Sequence, residues 1–194
     1  GIVTVALFSY AGLVFSSRSL QLNLKKVLLI LVLVTSPLFF SNNALSHDVF
    51  NYMFNALMLI KYGADAHVKV ALDFAFEPWT RFMHNTHTPA PYYYGWTAMS
   101  VVPYVLGFQK FVLTWLLFRA WSALGFFLTV VFVWKMMPDH TGKKLRDFCV
   151  LAFSPLFAIE LISNAHNDGW LMWPAFASLY ILSQTKKGAR VSLV

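Results

Sequence analysis

Ser46-His47-Asp48-Val49-Phe50-Asn51-Tyr52-Met53-Phe54-Asn55 follows directly on an apolar, membrane-grade segment and opens a long polar loop rich in aromatic residues. This stretch divides the chain into what sits in a bilayer and what sits outside it. Read as a helix, it places Asp48, Tyr52 and Asn55 at spacings of four and three, so they share one face. Val49, Phe50, Met53, Phe54, Leu57 and Met58 cover the other face, as an amphipathic juxtamembrane helix lying on a bilayer requires. Ser46 reads as the N-cap, which puts Asp48 in the first turn, where the helix dipole favours an ionised carboxylate. An aspartate there is either a helix-capping acid or an exposed base held on a rigid element. Tyr52 and Asn55 on its face favour the base, which needs neighbours to orient it and its substrate.

Composition extends the membrane reading outward from this stretch. The chain has 194 residues, 58% of them hydrophobic and 12% charged. Soluble domains carry roughly 25% charged residues, so an integral membrane protein is expected. The single cysteine, Cys149, lies in an apolar run and excludes a disulfide framework. The net charge of +7 comes from short Lys and Arg clusters between apolar segments, the pattern of cytoplasmic loops rather than of a nucleic-acid partner. Gly1 stands inside an apolar run without an initiator Met or a signal peptide, so the chain reads as a fragment of a larger polytopic protein.

Ile2 to Phe15 is apolar but shorter than the roughly 20 residues a crossing needs. Arg18, Lys25 and Lys26 then precede the aliphatic run Val27 to Phe40, closed by Pro37 and Ser41-Asn42-Asn43. With those cations cytoplasmic, the second helix delivers Asp48 to the outer face. Asn42 to about Tyr93 is one external segment, with Gly63 as a turn and Phe74 to Tyr94 expected to be irregular because of Pro78, Pro89 and Pro91. Tyr94 to Phe108 is apolar but broken by Pro103 and Gly107, and Phe111 to Met137 is the longest hydrophobic run. Two crossings there would put Lys143 and Lys144 outside; either Tyr94 to Phe108 dips without crossing or these lysines break the positive-inside rule. Phe148 to Ser163 and Gly169 to Ser183 flank a polar loop, and Lys186, Lys187 and Arg190 close the chain on the inside. The expected fold is all-α: a polytopic transmembrane helix bundle over residues 1–194, with residues 42–93 as the first external loop.

The polar loop is Asn164-Ala165-His166-Asn167-Asp168. Capping the next helix needs one such side chain rather than four, and polar groups between membrane-length segments are mostly functional. Glu160 is either their partner inside the bundle or a carboxylate near the interface. His84-Asn85-Thr86-His87 lacks the paired ligand sets of zinc sites, so no metal ligand is assigned and a divalent metal is left open. Trp79, Tyr92, Tyr93, Tyr94 and Trp96 form an interfacial belt or flat platforms for a sugar or lipid headgroup. Arg119, within the longest apolar run, either snorkels, pairs with Glu160 or holds a phosphate. Nucleotide loops, GxSxG elbows and HExxH motifs are absent from the sequence.

Asp48-Val49-Phe50-Asn51-Tyr52, then Lys61-Tyr62-Gly63, then Thr88-Pro89 running to Tyr94-Gly95, resembles the GT-C class of integral membrane glycosyltransferases. Ser154-Pro155-Leu156 followed by Asn164-Ala165-His166-Asn167-Asp168 is similar to the pattern of bacterial polyprenol-phosphate-mannose-dependent mannosyltransferases in that class. The chain departs from that pattern at Ala64-Asp65-Ala66-His67 and at Trp96. The resemblance spans Leu45 to Leu182. It implies transfer of a sugar, mannose by this likeness, from a polyprenyl-phosphate carrier to a glycan or lipid acceptor outside the cytoplasm, with inversion. It also implies a multi-pass protein of the bacterial plasma membrane whose site faces outward. Asp48 would be the catalytic carboxylate of the first external loop, with His166 and Asp168 lining the same cavity. Tyr52, Asn55, Trp79, Arg81, Tyr94, Asn164 and Asn167 complete the expected substrate-binding set, and Arg81, His166 or Lys69 would meet the leaving phosphate. A transporter or a non-catalytic assembly subunit of the membrane is the alternative.

Overall fold

The computed structural model describes residues 2–17, 22–43, 45–138 and 143–191. Arg18 and residues 139–142 lie outside the described residues, as do the side chains of Lys186, Lys187 and Arg190, so the cytoplasmic charge expected there is not located. Among the described residues all regular secondary structure is helical. α1 (Ile2–Ser16), α2 (Leu24–Phe39) and α3 (Asp48–Tyr62) are followed by 3-10 turns at Ala71–Phe74 and Pro78–Phe82. Then come α4 (Tyr94–Leu106), α5 (Phe111–Met136), α6 (Lys144–Ala152), α7 (Pro155–Ala158), a π-helical turn (Ile159–Ser163) and α8 (Asp168–Val191).

Local chemistry sets these boundaries. Asn23 caps α2 by accepting from the Lys26 N–H at 3.0 Å. Pro37, inside the last turn of α2, has no N–H for the Leu33 carbonyl. The Ser36 hydroxyl donates to that carbonyl instead, at 3.0 Å. Gly63 ends α3 at φ 61°, a left-handed cap that glycine takes without a Cβ penalty. The loop between Phe74 and Tyr94 holds only a 3-10 turn, as its prolines imply.

α5 is the spine. It packs along α8, its N-terminal half meets α3 and α4, and it also touches α2 and the π-helical turn. Two cores result. One gathers Tyr52, Phe54, Trp96, Tyr104 and Phe118; the other gathers Leu31, Phe126, Phe148, Leu161 and Ile162. α5 supplies Phe118 to the first and Phe126 to the second, so a single helix couples the segment between α3 and α4 to the apolar bundle.

Among the described residues one helix, α5, is long and apolar enough to cross a membrane. Helix length therefore establishes one candidate crossing where several were expected. α4, with 13 residues, rises only about 20 Å against a hydrocarbon core of about 30 Å, and is too short to cross. Apolar side chains nevertheless point outward from α1 (Phe8, Phe15), α2 (Leu29, Leu33) and α8 (Leu171, Ile181), which water would not favour.

α3 corrects the expected helix lying on a bilayer with one wet face. Val49 and every residue from Asn51 to Met58 are buried. The reason is the aromatic loop and the start of α4: Tyr92 and Trp96 lie edge-to-face with Tyr52 at 4.9 and 5.2 Å, covering a face that spacing alone leaves open. The residue preceding α3 is His47 rather than Ser46, although the Ser46 hydroxyl still accepts from the Asp48 N–H at 3.2 Å. Asp48 does occupy the first turn.

α5 and α8 cross at two glycines. A Cβ on Gly169 would lie 3.0 Å from the backbone of Gly125 and Phe126. Gly169→Ala is expected to cost about 1–3 kcal/mol by overpacking. Thermal unfolding in detergent checks this, with Gly95→Ala, which has nothing within 4 Å of the added carbon, as the neutral control.

Candidate active site

The site begins where α2 ends. Arg119 of α5 is fully buried and donates to the Leu38 and Phe39 carbonyls at 3.1 and 2.7 Å, and to Asn43 Oδ1 at 3.0 Å. Its guanidinium also lies 4.0 Å from the centre of the Trp115 ring, whose N–H donates to the same Asn43 oxygen at 2.9 Å. Arg119 thus caps the negative end of α2, a role outside the three considered from sequence. Asn43 Nδ2 donates onward to the Asn164 carbonyl at 3.3 Å. The Asn164 side chain accepts from the Leu45 N–H at 3.3 Å and donates to Glu160 Oε2 at 3.0 Å. The approach to α3 and the π-helical turn are joined through this one buried amide.

The π-helical turn then delivers His166. Its extra residue shifts the backbone bond of Asn164 to the Ile159 carbonyl, and Ala165 follows at φ 56°, a left-handed conformation uncommon for a residue with a Cβ. The Ser122 hydroxyl holds that conformation by donating to the Ala165 carbonyl at 3.0 Å. The imidazole emerges among three carboxylates. Nε2 lies 3.3 Å from Glu160 Oε2, and Nδ1 lies 3.8 Å from Asp168 Oδ2 and 3.9 Å from Asp48 Oδ2.

Asp48 thus meets residues more than a hundred positions away. Tyr92 donates to its Oδ2 at 2.6 Å. Burial, then the carboxylate it serves, push the Tyr92 phenol up to about 12, so it remains a donor at neutral pH. Tyr52, raised by burial above all and by Tyr92 and Asp48 after that, donates to Asn167 Oδ1 at 3.4 Å. The Asp48 side chain keeps 25% of its surface exposed, enough to meet a ligand.

Asp48, Tyr52, Asn164, His166, Asn167 and Asp168 therefore come together. Asn55 lies further along α3, on the wall of a hollow that Asp48 also lines. Three expected residues stand elsewhere. Trp79 packs against Tyr104 and Phe111 in the core. Arg81 is exposed, with its guanidinium over the Phe82 ring. Tyr94 donates to Asp65 Oδ2 at 2.9 Å and lies tilted against the His67 ring, making a separate surface cluster. Sequence reasoning missed Tyr92 as the partner of Asp48, and Asn51, whose spacing of three from Asp48 and four from Asn55 marks the same helix face. His84 stacks on His47 at 3.8 Å, and among the described residues no group of three or more His, Cys, Asp or Glu is placed to hold a metal ion.

The site is a half-buried carboxylate beside an imidazole, on a helical scaffold that includes one helix long and apolar enough to cross a membrane. The family follows from the sequence itself: residues 1–194 match the MptA_B family model, described as alpha-(1->6)-mannopyranosyltransferase, N-terminal domain, and the chain belongs to that family. No curated protein and no solved structure matches the chain. The expected kinship with mannosyltransferases holds.

The loop that carries Tyr92 is pinned at Glu77, which is 6% exposed and accepts from both Lys61 and Tyr62 at the end of α3. Burial raises the Glu77 carboxyl, but these two donors outweigh it and hold it below the ordinary glutamate value. A lowered folded value means the contact stabilises above the unfolded glutamate value, about 4.3, and fades as pH falls through the folded one. Glu77→Gln should therefore loosen residues 77–92 at neutral pH, and its difference from wild type should shrink as pH falls below the unfolded glutamate value, about 4.3, read by amide hydrogen exchange or limited proteolysis.

Proposed function

We propose that this chain carries the catalytic base of a mannosyltransferase that moves mannose from a polyprenyl-phosphate carrier to an extracytoplasmic glycan or lipid acceptor, with inversion, in the manner of the GT-C class. The observation that carries this reading is the approach of Asp48 Oδ2 to His166 Nδ1 at 3.9 Å, with Asp168 beside the same nitrogen. A purely structural assembly subunit has no need to bring these groups to one exposed spot.

Asp48 is the general base. Both of its side-chain contacts fall on Oδ2, so Oδ1 is the oxygen that takes the proton. The acceptor hydroxyl loses that proton to Asp48 as its oxygen bonds to the anomeric carbon. The bond from that carbon to the carrier phosphate breaks, and the phosphate leaves with the electron pair. A single displacement of this kind inverts the anomeric centre, through an oxocarbenium-like transition state. The linkage in the family's name makes the nucleophile a primary hydroxyl. His166, between Asp48 and Glu160, is the donor offered to the departing phosphate.

A lipid-borne donor is supported by an apolar cavity of about 430 Å³ between α1, α2 and α7. Leu13, Leu31, Leu38 and Phe153 line it, and it reaches Ile159, the neighbour of Glu160 in the chain. An isoprenoid chain there would bring its phosphate toward the imidazole. Together with the outward apolar faces of α1, α2 and α8, this supports a multi-pass protein; the resemblance to the GT-C class adds the rest of the reading, a transmembrane unit over residues 1–194 with residues 42–93 as its external catalytic loop, facing outward from a bacterial plasma membrane.

Asp48→Asn keeps the shape and the acceptor for Tyr92 but removes the base. Transfer of radiolabelled mannose from polyprenyl phosphate, measured in membranes with the full-length protein, should fall by about a hundredfold to ten-thousandfold with unchanged membrane insertion. Undiminished turnover would exclude Asp48 as the base, and transfer of glucose in place of mannose would overturn the donor.

A further inference from the structure

The displacement step uses Asp48 and His166 and leaves a neighbouring carboxylate without a role. Glu160 stands in the π-helical turn, half-buried, and its Oε2 lies 3.3 Å from His166 Nε2. That is the closest of the three carboxylate approaches to the ring. Asp168 and Asp48 stay 3.8 and 3.9 Å from Nδ1, beyond hydrogen-bond reach. One nitrogen of the imidazole is thus engaged, while the other faces Asp48 and Asp168 across a gap.

Helical spacing does not give this pairing. Positions six apart on a regular helix are turned about 120° from one another, which would put Glu160 and His166 on different faces. The π-helical turn and the left-handed Ala165 bring them together, and the His166 N–H donates to the Glu160 carbonyl at 3.0 Å. The glutamate is itself held. Asn164, fully buried, accepts from the Leu45 N–H through Oδ1 at 3.3 Å, so its Nδ2 points the other way, to Glu160 Oε2 at 3.0 Å. Leu45 shortly precedes Asp48 in the chain. The contacts therefore close a circuit, from the segment that carries Asp48 through Asn164 and Glu160 to the imidazole, and back to Asp48.

We propose that Glu160 is the positioning residue of His166: by holding Nε2 it fixes which edge of the ring faces the reaction centre and leaves Nδ1 to donate to an oxygen of the departing phosphate. The assignment rests on the mannosyl-transfer reading above. A ring freed from Glu160 can turn over about its Cβ–Cγ bond, which exchanges Nδ1 for a carbon that donates no hydrogen bond of comparable strength. The doubly protonated ring donates from both nitrogens, one to Glu160 and one to the phosphate. No proton is transferred in this contact, since the phosphate leaves with the electron pair of the broken bond. An oriented imidazole backed by a carboxylate is a recurrent device of acid–base centres.

The test uses the full-length enzyme in nanodiscs with polyprenyl-phosphate mannose as donor. Glu160→Leu is expected to lower kcat about ten- to hundredfold, the value of one hydrogen bond to a charged group, with the acceptor KM unmoved. Glu160→Gln, whose amide oxygen still accepts from Nε2, should recover most of that loss. In a His166→Ala background Glu160→Leu should cost nothing further. The cycle is run on kcat and on the affinity for polyprenyl phosphate, so a silent His166→Ala enzyme still gives a reading. An undiminished cost in that background would make Glu160 a structural partner of Asn164 alone and overturn the assignment, as would unchanged turnover of Glu160→Leu. Nitrogen-15 NMR of labelled histidine needs only wild type and Glu160→Gln, with His166→Ala to assign the signal, and so decides the matter if Glu160→Leu fails to fold. Wild type should show a low-field proton on Nε2 that moves upfield in Glu160→Gln; a bare Nε2, or an unmoved proton, overturns the assignment. If wild type shows this signature but transfers no mannose, the donor reading fails and the positioning stands; if it transfers mannose without the signature, the positioning fails alone.

Discussion

The arrangement of this protein depends on a buried guanidinium that has no carboxylate partner among the described residues. Arg119 sits within the one membrane-length helix, and its charge is met by the C-terminal carbonyls of α2, the Asn43 amide oxygen and the face of Trp115. Burying an ion costs several kcal/mol unless partners compensate it, so these contacts fix the end of α2 against α5 tightly. From there the path is continuous. Asn43 holds Asn164, and Asn164 holds both Leu45, on the approach to α3, and Glu160, which faces the imidazole. Ser41 and Ser163 reinforce the same junction through a hydroxyl pair at 2.7 Å. Asp48 and His166 belong to segments far apart in sequence, and this junction is what registers one against the other.

The second half of the site is delivered by local backbone strain. A π-helical turn and a non-glycine residue at φ 56° are each unfavourable in isolation, and such features persist where surrounding contacts over-determine them. Here the Ser122 hydroxyl holds the Ala165 carbonyl, and the Gly125–Gly169 approach lets α8 begin directly against α5. The Trp170 N–H then donates to the Trp121 carbonyl at 2.9 Å while the two indoles stack. The result is that Asn164 to Asp168 is held as a rigid edge with its imidazole projecting, which is the preorganisation an acid–base centre needs.

Much of this was legible in the sequence because it follows from spacing and from local rules. The aspartate at the start of a helix, the glycine cap at Gly63, the irregular loop from Phe74 and the dense polar cluster after Ser163 each have a short-range cause. What spacing could not supply is which face of α3 would be covered, and by what. Periodicity sorts the residues of one helix into stripes, but α4, α5 and the aromatic loop close over α3 on both stripes. Asn51 was therefore overlooked among apolar neighbours, although its register with Asp48 and Asn55 was visible. Arg119 illustrates the same limit: its partners are main-chain carbonyls, which have no signature in the residue types. Trp79 and Tyr94 match the composition of a sugar platform, yet one fills the core and the other binds Asp65, since aromatic rings serve packing as readily as recognition.

The chemistry acquires its direction from the two unlike surroundings of one carboxylate. Oδ2 is committed, to the Tyr92 phenol and toward the imidazole, so Asp48 is oriented before any substrate arrives. A carboxylate held in this way cannot rotate to follow a partner; the partner must be brought to Oδ1. Tyr92 links the two halves of that requirement, because it both fixes the carboxylate and forms part of the wall of the hollow. The ion pair of the buried Glu77 with the exposed Lys61 anchors the loop bearing Tyr92, and the loop is tied down again where the Ala90 N–H donates to the Ala66 carbonyl at 2.8 Å. Orientation of the Asp48 carboxylate and shape of the hollow beside it are therefore one structural property, set by how residues 65–92 fold over α3.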